Sequence, residues 1–358
     1  MSKIKFANTD SQFFNTLRDR INGYFTQNNI NPTGNWKLYL KTGILIASLI
    51  VIYSWLVFFT PADAWLVILL CSIGGLNVAA IGFNVMHDGA HGSYSQSKWV
   101  NEVMAHSLNV LGGNSFLWKQ KHNQNHHTYT NVEGMDDDID IKPFMRLHRE
   151  QEHKWYHRFQ HIYCMFAYGL LYFFWVFYRD FKKYFTGKIA ENTPMKKMDM
   201  AEHINFWVSK VAHVVIFFVI PTFYVGFVNV IIGYSIMAFV NGVILAVVFQ
   251  LAHIVENTEF VTPVSMDSKI ESNWAIHQLV TTTNFATKNR MLIWLLGGLN
   301  FQVEHHLFPK ISHVHYRKIN KILIDTCKEF GIVYNEYPTM TKAFISHMSH
   351  IRSLGINK

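Results

Sequence analysis

The chain has 358 residues, half of them apolar and 15% aromatic, with a formal charge of +8 and 20 histidines. Its mean hydropathy of only +0.08 requires a large polar part to coexist with apolar spans. The basic excess lies beside apolar segments and in no nucleic-acid motif, which argues against a nucleic-acid partner, and the widely spaced Cys71, Cys164 and Cys327 form no disulfide framework or cysteine-pair zinc site.

Residues 1–36 are polar, with no apolar core at signal-peptide distance. Phe13, Leu17, Ile21 and Phe25 recur at four-residue steps, which predicts an amphipathic helix resting on the membrane surface or on the rest of the same protein. Residues 42–61 carry no charge, Asp63 interrupts, and 64–87 are again uncharged. Each run is about the ~20 residues needed to cross hydrocarbon, so spans are expected at about 42–61 and 64–86 with a tight hairpin between. His87-Asp-Gly-Ala-His91 begins where the second span ends.

Residues 101–118 read as a surface helix broken at Gly112-Gly113, followed by His122-Asn-Gln-Asn-His126-His127. The acidic run at 131–140 (Asp136, Asp137, Asp138, Asp140) reads as a solvated loop, although its aspartates could also hold the far nitrogens of ligand histidines. The aromatic stretch 162–178 is long enough to tempt a span. A span there would put the third histidine cluster on the wrong side, so an interfacial helix is expected. Residues 211–252 contain no Asp, Glu, Lys or Arg, enough for two spans at about 206–227 and 231–252, with a turn near Gly226 to Gly233 and His253 at the end. Arg179, Lys182, Lys183, Lys188, Lys196 and Lys197 all fall on the side of the histidine clusters, the pattern of a cytoplasmic face. The third cluster is Phe301-Gln-Val-Glu-His305-His306-Leu-Phe-Pro309, with Gln302 one turn before the doublet, and an ordinary surface helix is expected over 316–328.

On a helix, residues three or four apart share a face, so His87 with His91, and His122 with His126, can each chelate one metal. The doublets His126–His127 and His305–His306 diverge and can serve two ions. One zinc takes about four ligands, and these seven imidazoles exceed that, so two metals are expected. Imidazole suits zinc, copper, iron and nickel; a zinc pair would hydrolyse, whereas an iron pair could use dioxygen. His106, His161, His203 and His213, and with less force His313 and His315, fit hydrogen-bonded structural roles. His277 and Asp88 are kept as candidates beside the metals. The first cluster has the spacing of a zinc-protease helix, but Asp88 stands where that chemistry needs Glu and the other histidines would be surplus. A metal transporter would want more polar residues within the spans than 211–252 offer.

The three clusters, with two span pairs, resemble the integral-membrane histidine-box fatty-acyl desaturases over nearly the whole chain. The Phe-Gln-Val-Glu-His-His form resembles their front-end, delta-5/delta-6-like subgroup, in which glutamine replaces the first histidine of the third box. The resemblance implies an all-α integral membrane protein. Four transmembrane helices would carry a cytoplasmic helical cap (87–205 and 253–358) that holds a histidine-ligated di-iron centre. It would form one domain over 37–358, preceded by the segment 1–36. It implies two Fe ions on His87, His91, His122, His126, His127, His305 and His306, with His253 as a further ligand and Gln302 as a water-holding position. It implies dioxygen as co-substrate and a long-chain fatty-acyl substrate that gains a cis double bond on the carboxyl side of an existing one. The His-Pro-Gly-Gly motif of a fused haem domain is missing from the chain, so electrons are expected from a separate ferredoxin or haem protein. The bilayer would be the cell membrane in a bacterium or the endoplasmic reticulum in a eukaryote. A lipid hydroxylase using the same boxes is the alternative.

Overall fold

Four helices are long and apolar enough to cross a membrane: Trp36–Phe58, Ala64–His91, Met200–Val225 and Phe227–His253. They belong to a computed structural model that describes residues 4–7, 12–263 and 269–356. The side chain of Asn35 starts the first span by accepting the N–H of Lys37 at 3.0 Å. The second span does not stop at 86. It passes through one π turn, Gly82–Met86, and runs to His91, where Gly92 in the left-handed region (φ 73°) ends it. The first histidine box is therefore the last turn of a span.

The third span starts at Met200, capped by Asp199, which accepts from the N–H of Glu202 at 2.8 Å. It begins earlier than the uncharged run because Lys210 is accommodated inside the protein. Its ammonium donates to the carbonyls of Gly112 and Val176 and to Asp180 Oδ2 at 2.8 Å. The turn between the last two spans is the single residue Gly226, whose φ of 80° reverses the chain.

Residues 162–178 lie within a bent pair, Trp155–Gly169 and Leu171–Thr186, whose axes differ by 57°. Taken together the pair has the length and composition of a broken crossing or a re-entrant loop, and the expected interfacial helix is bent in its middle. The bend lies against the fourth span. A Cβ on Gly242 would meet the carbonyl oxygens of Tyr168 and Gly169 at 2.7 Å, so only glycine lets the two backbones come so near.

The other helices gather at the histidine end of the spans. Helix Gln12–Gln27 buries Phe13, Leu17, Ile21 and Phe25 against Leu279, Phe301, Leu307 and the Ile319–Leu323 face of helix Tyr316–Glu329. Arg20 adds an ion pair to Glu329 at 2.7 Å. Its apolar stripe thus serves this protein's own core. Helix Met340–Ile356 packs on the bent pair, with His347 Nε2 2.8 Å from the Tyr168 hydroxyl. Strands are confined to three two-stranded pairs among the described residues.

The acidic run is not a solvated loop. Asp136 is 2% exposed and Asp137 is held by Arg179 at 2.8 Å and Lys183 at 2.5 Å. Burial pushes the Asp137 carboxyl up, but these two cations outweigh it and hold the group below the usual carboxylate range.

Candidate metal centre

Each of the three boxes ends or begins an element that fixes where its rings point. Box one is the end of the second span, box two is a π-helical turn Gln120–His126, and box three is the short helix Gln302–Leu307. His253 closes the fourth span. All eight histidines converge. One group that could share an ion is His87, His91, His122 and His305, a second is His126, His253 and His306, and His127 joins His305 and His306 between them. The pairing of His87 with His91 follows the helix spacing. His122 and His126, their rings stacked at 5.2 Å, share a group with Asp138, and each also belongs to a separate histidine group. A carboxylate also comes within reach, since Asp138 groups with His122 and His126 while Lys121 bonds its other oxygen.

The ring nitrogens fit a metal better than they fit one another. His122 Nε2 lies 3.2 Å from the Nε2 atoms of both His87 and His127 and 3.4 Å from that of His305. A neutral imidazole has one donor and one acceptor, so four converging nitrogens cannot all be satisfied by mutual hydrogen bonds. His91 Nε2, His253 Nε2, His306 Nε2 and His127 Nδ1 are buried with no partner among the described residues. Burial first, and then repulsion from neighbouring imidazoles, holds His122, His127, His305 and His306 well below the usual histidine range. They are therefore neutral lone-pair donors, the form a metal binds.

The far nitrogens are pinned. His126 Nδ1 lies 3.0 Å from Asp136 Oδ2, His306 Nδ1 2.8 Å from Gln278 Oε1, His253 Nδ1 3.2 Å from the Thr281 carbonyl and His305 Nδ1 3.2 Å from the Tyr316 hydroxyl. Such contacts fix ring orientation and tautomer and leave Nε2 for the ion. His126 is the exception in charge: burial pushes it down, but Asp136 and then Asp138 raise it above the usual value.

The remaining candidates sit at the edge. Gln302 is buried and lines the same cavity as His253. His277 joins none of the ligand groups; its Nε2 donates to the Thr130 carbonyl at 2.8 Å and so braces the segment after box two. Asp88 touches no ligand ring. Its Oδ2 accepts from Ser312 at 2.6 Å and His313 at 3.0 Å, and His313 in turn lies 3.2 Å from Lys41 Nζ. Gln278 and Tyr316 were not anticipated. The indole of Trp118, stacked on His122 at 4.3 Å, was also missed.

A cavity of about 940 Å³ opens between the second and fourth spans and the bent pair. Phe83, Met86, Leu245 and Phe249 contribute to its wall, where His87, His122, His126, His253, His305 and Gln302 also stand. A largely apolar pocket of this size with convergent polar groups is the form of a ligand site.

Comparison with known proteins agrees with this geometry. The fatty acid desaturase family profile matches residues 62–338. An sn-1 linoleoyl-lipid 6-desaturase of Arthrospira platensis is 38% identical over 99% of this chain and 96% of its own. An enzyme of the same description from a Synechocystis species is 35% identical over 99% and 98%. An acyl-lipid (8-3)-desaturase of Physcomitrium patens is 34% identical over 99% of this chain and 74% of its own.

Proposed function

The chain belongs to the fatty acid desaturase family and is an oxidoreductase that introduces double bonds into fatty-acyl chains; from that premise we propose that it acts on lipid-esterified chains that already hold a double bond and places a new cis bond on the carboxyl side of it. The names of the relatives, which act on linoleoyl-lipid or other acyl-lipid substrates, support the lipid-bound form. Gln302 ahead of His305–His306 supports the front-end position. We read residues 37–358 as one domain.

The observation that carries the reading is a cluster of eight imidazoles, five of which line a largely apolar cavity. His87, His91, His122 and His305 would hold one iron, His126, His253 and His306 the other, and His127 stands between. Iron bound there would supply the activation of dioxygen needed to take hydrogen from an unactivated methylene. The protein's own part is placement. Phe83, Leu245 and Phe249 exclude water from the chain beside the histidines, and Asp136, Gln278 and Tyr316 keep the rings from turning. Regioselectivity then rests on which methylene the cavity brings to the histidines. The lysines and arginines on the histidine side support a cytoplasmic site. Electrons would come from a separate ferredoxin or haem protein.

The test has two halves. Freshly purified, reductant-protected protein should contain two irons per chain; stoichiometric zinc without iron rejects the reading. A host fed saturated, mono- and di-unsaturated fatty acids should show new double bonds by gas chromatography, on the carboxyl side of existing ones. Hydroxy acids in their place would mark a hydroxylase.

A further inference from the structure

Two amides of the fourth span line the cavity, besides Gln302 at the histidines. Gln250 and Asn241, both on the fourth span, line it and are 2% and 1% exposed, yet Gln250 Oε1 and Asn241 Oδ1 have no hydrogen-bond partner among the described residues. An unpartnered buried amide is costly, and a helix in an apolar setting would be better served by leucine at either place. Other partly unpartnered amides nearby are explained by what their opposite ends hold, as Gln278 holds His306. Gln250 has no such task. A saturated acyl chain offers it nothing either, since methylenes neither accept nor usefully donate.

A carbon–carbon double bond does both. Its π face accepts a weak N–H bond, and its vinylic C–H, more polarised than a methylene C–H, donates weakly to a carbonyl oxygen. A primary amide carries both partners and can exchange them by rotating its last torsion. Position decides between the two amides. Gln250 stands three residues before His253, about 4.5 Å along the helix, beside the stretch of chain next to the carbon being oxidised. Asn241 is nine residues further back, about 13.5 Å along the axis and farther from His253. We propose that Gln250 is the residue that selects acyl chains already carrying a cis double bond near the oxidised position. This rests on the reading of the substrate given above.

The experiment compares stearoyl and linoleoyl chains on one glycerolipid headgroup, supplied together to the full-length iron-loaded protein, with products read by gas chromatography. Binding of the same two lipids is measured on zinc-substituted protein, which cannot turn them over. Wild-type protein should prefer linoleoyl in both assays. Gln250→Leu, which keeps the volume and removes the amide, should lower that preference by about threefold in both. If this variant loses iron, the zinc-substituted binding ratio decides alone. A Gln250→Leu protein that keeps the wild-type ratio overturns the role of Gln250. A wild-type protein that takes both chains equally overturns the substrate reading itself.

Discussion

One oxygen of Asp136 ties together a candidate metal ligand and the loop that follows it: Oδ2 lies 3.0 Å from His126 Nδ1 and accepts the backbone N–H of Asn131 at 3.0 Å. The carboxylate thereby sets the ring's tautomer and fixes the turn after box two. Asp136→Ala should weaken metal retention about 10- to 100-fold, the usual cost of removing such a partner. Iron left after timed exposure to a chelator measures this. Retention equal to wild type would show that His126 is held by other means.

Glu304 sits between box-three residues and is fully buried, accepting Asn284 Nδ2 and Asn320 Nδ2, each at 2.7 Å. Burial pushes its carboxyl up to about 7. Glu304→Gln would set an amide N–H against an amide N–H donor, tilting the helix that carries His305 and His306. The variant should lose metal and activity. Adding Asn320→Asp, which restores an acceptor opposite the new donor, should recover much of both. A double variant no better than the single one would rule out this clamp.

The ligand groups predict which losses add. His91→Ala and His306→Ala remove ligands from different groups, so each should lower metal content towards one ion per chain while sparing the other. His253→Ala and His306→Ala strike the same group, and their combination should be little worse than either alone. Metal analysis of the four proteins, with activity lost in all, reads this directly.

His347 gives the pH dependence. Its Nδ1 donates to the Ile254 carbonyl at 2.7 Å, and burial pushes its pKa down to about 4 despite that bond. The folded ring stays neutral while the unfolded chain takes up a proton below pH 6.5, so stability falls as pH drops from 6.5 towards 4. By about pH 5.5 the loss should be on the order of 1 kcal/mol from this group. Thermal melts in detergent should show His347→Gln losing less stability than wild type between about pH 7.5 and 5.5.

Much of this was legible in the chain because periodicity and charge act locally. The uncharged runs announced four spans, and the His87/His91 spacing announced a pair whose rings meet in one group. Their ends were harder, since a buried Lys210 hides inside an apparent boundary and a π turn carries the second span through to box one. His122 and His126 share a group as expected, but each also joins a separate histidine group, because further partners come from boxes one and three and the fourth span. Gln278 shows the limit most plainly. Its neighbour His277 looked the better candidate by residue type, yet the one-residue difference in direction gives His306 to Gln278 and leaves His277 on a backbone carbonyl. No local pattern encodes that choice.

The spacing of the boxes also sets an order in time. A ribosome adds about 5–20 residues per second, so His87 and His91 enter the membrane some tens of seconds before His305 and His306 exist. Until then each ion would find only part of its shell, with buried imidazoles waiting on a chain still being made. The short helix Gln302–Leu307, made late in synthesis, is the one that completes both groups. Maturation is therefore a late step, and a stalled or truncated chain should reach the bilayer without a complete metal site.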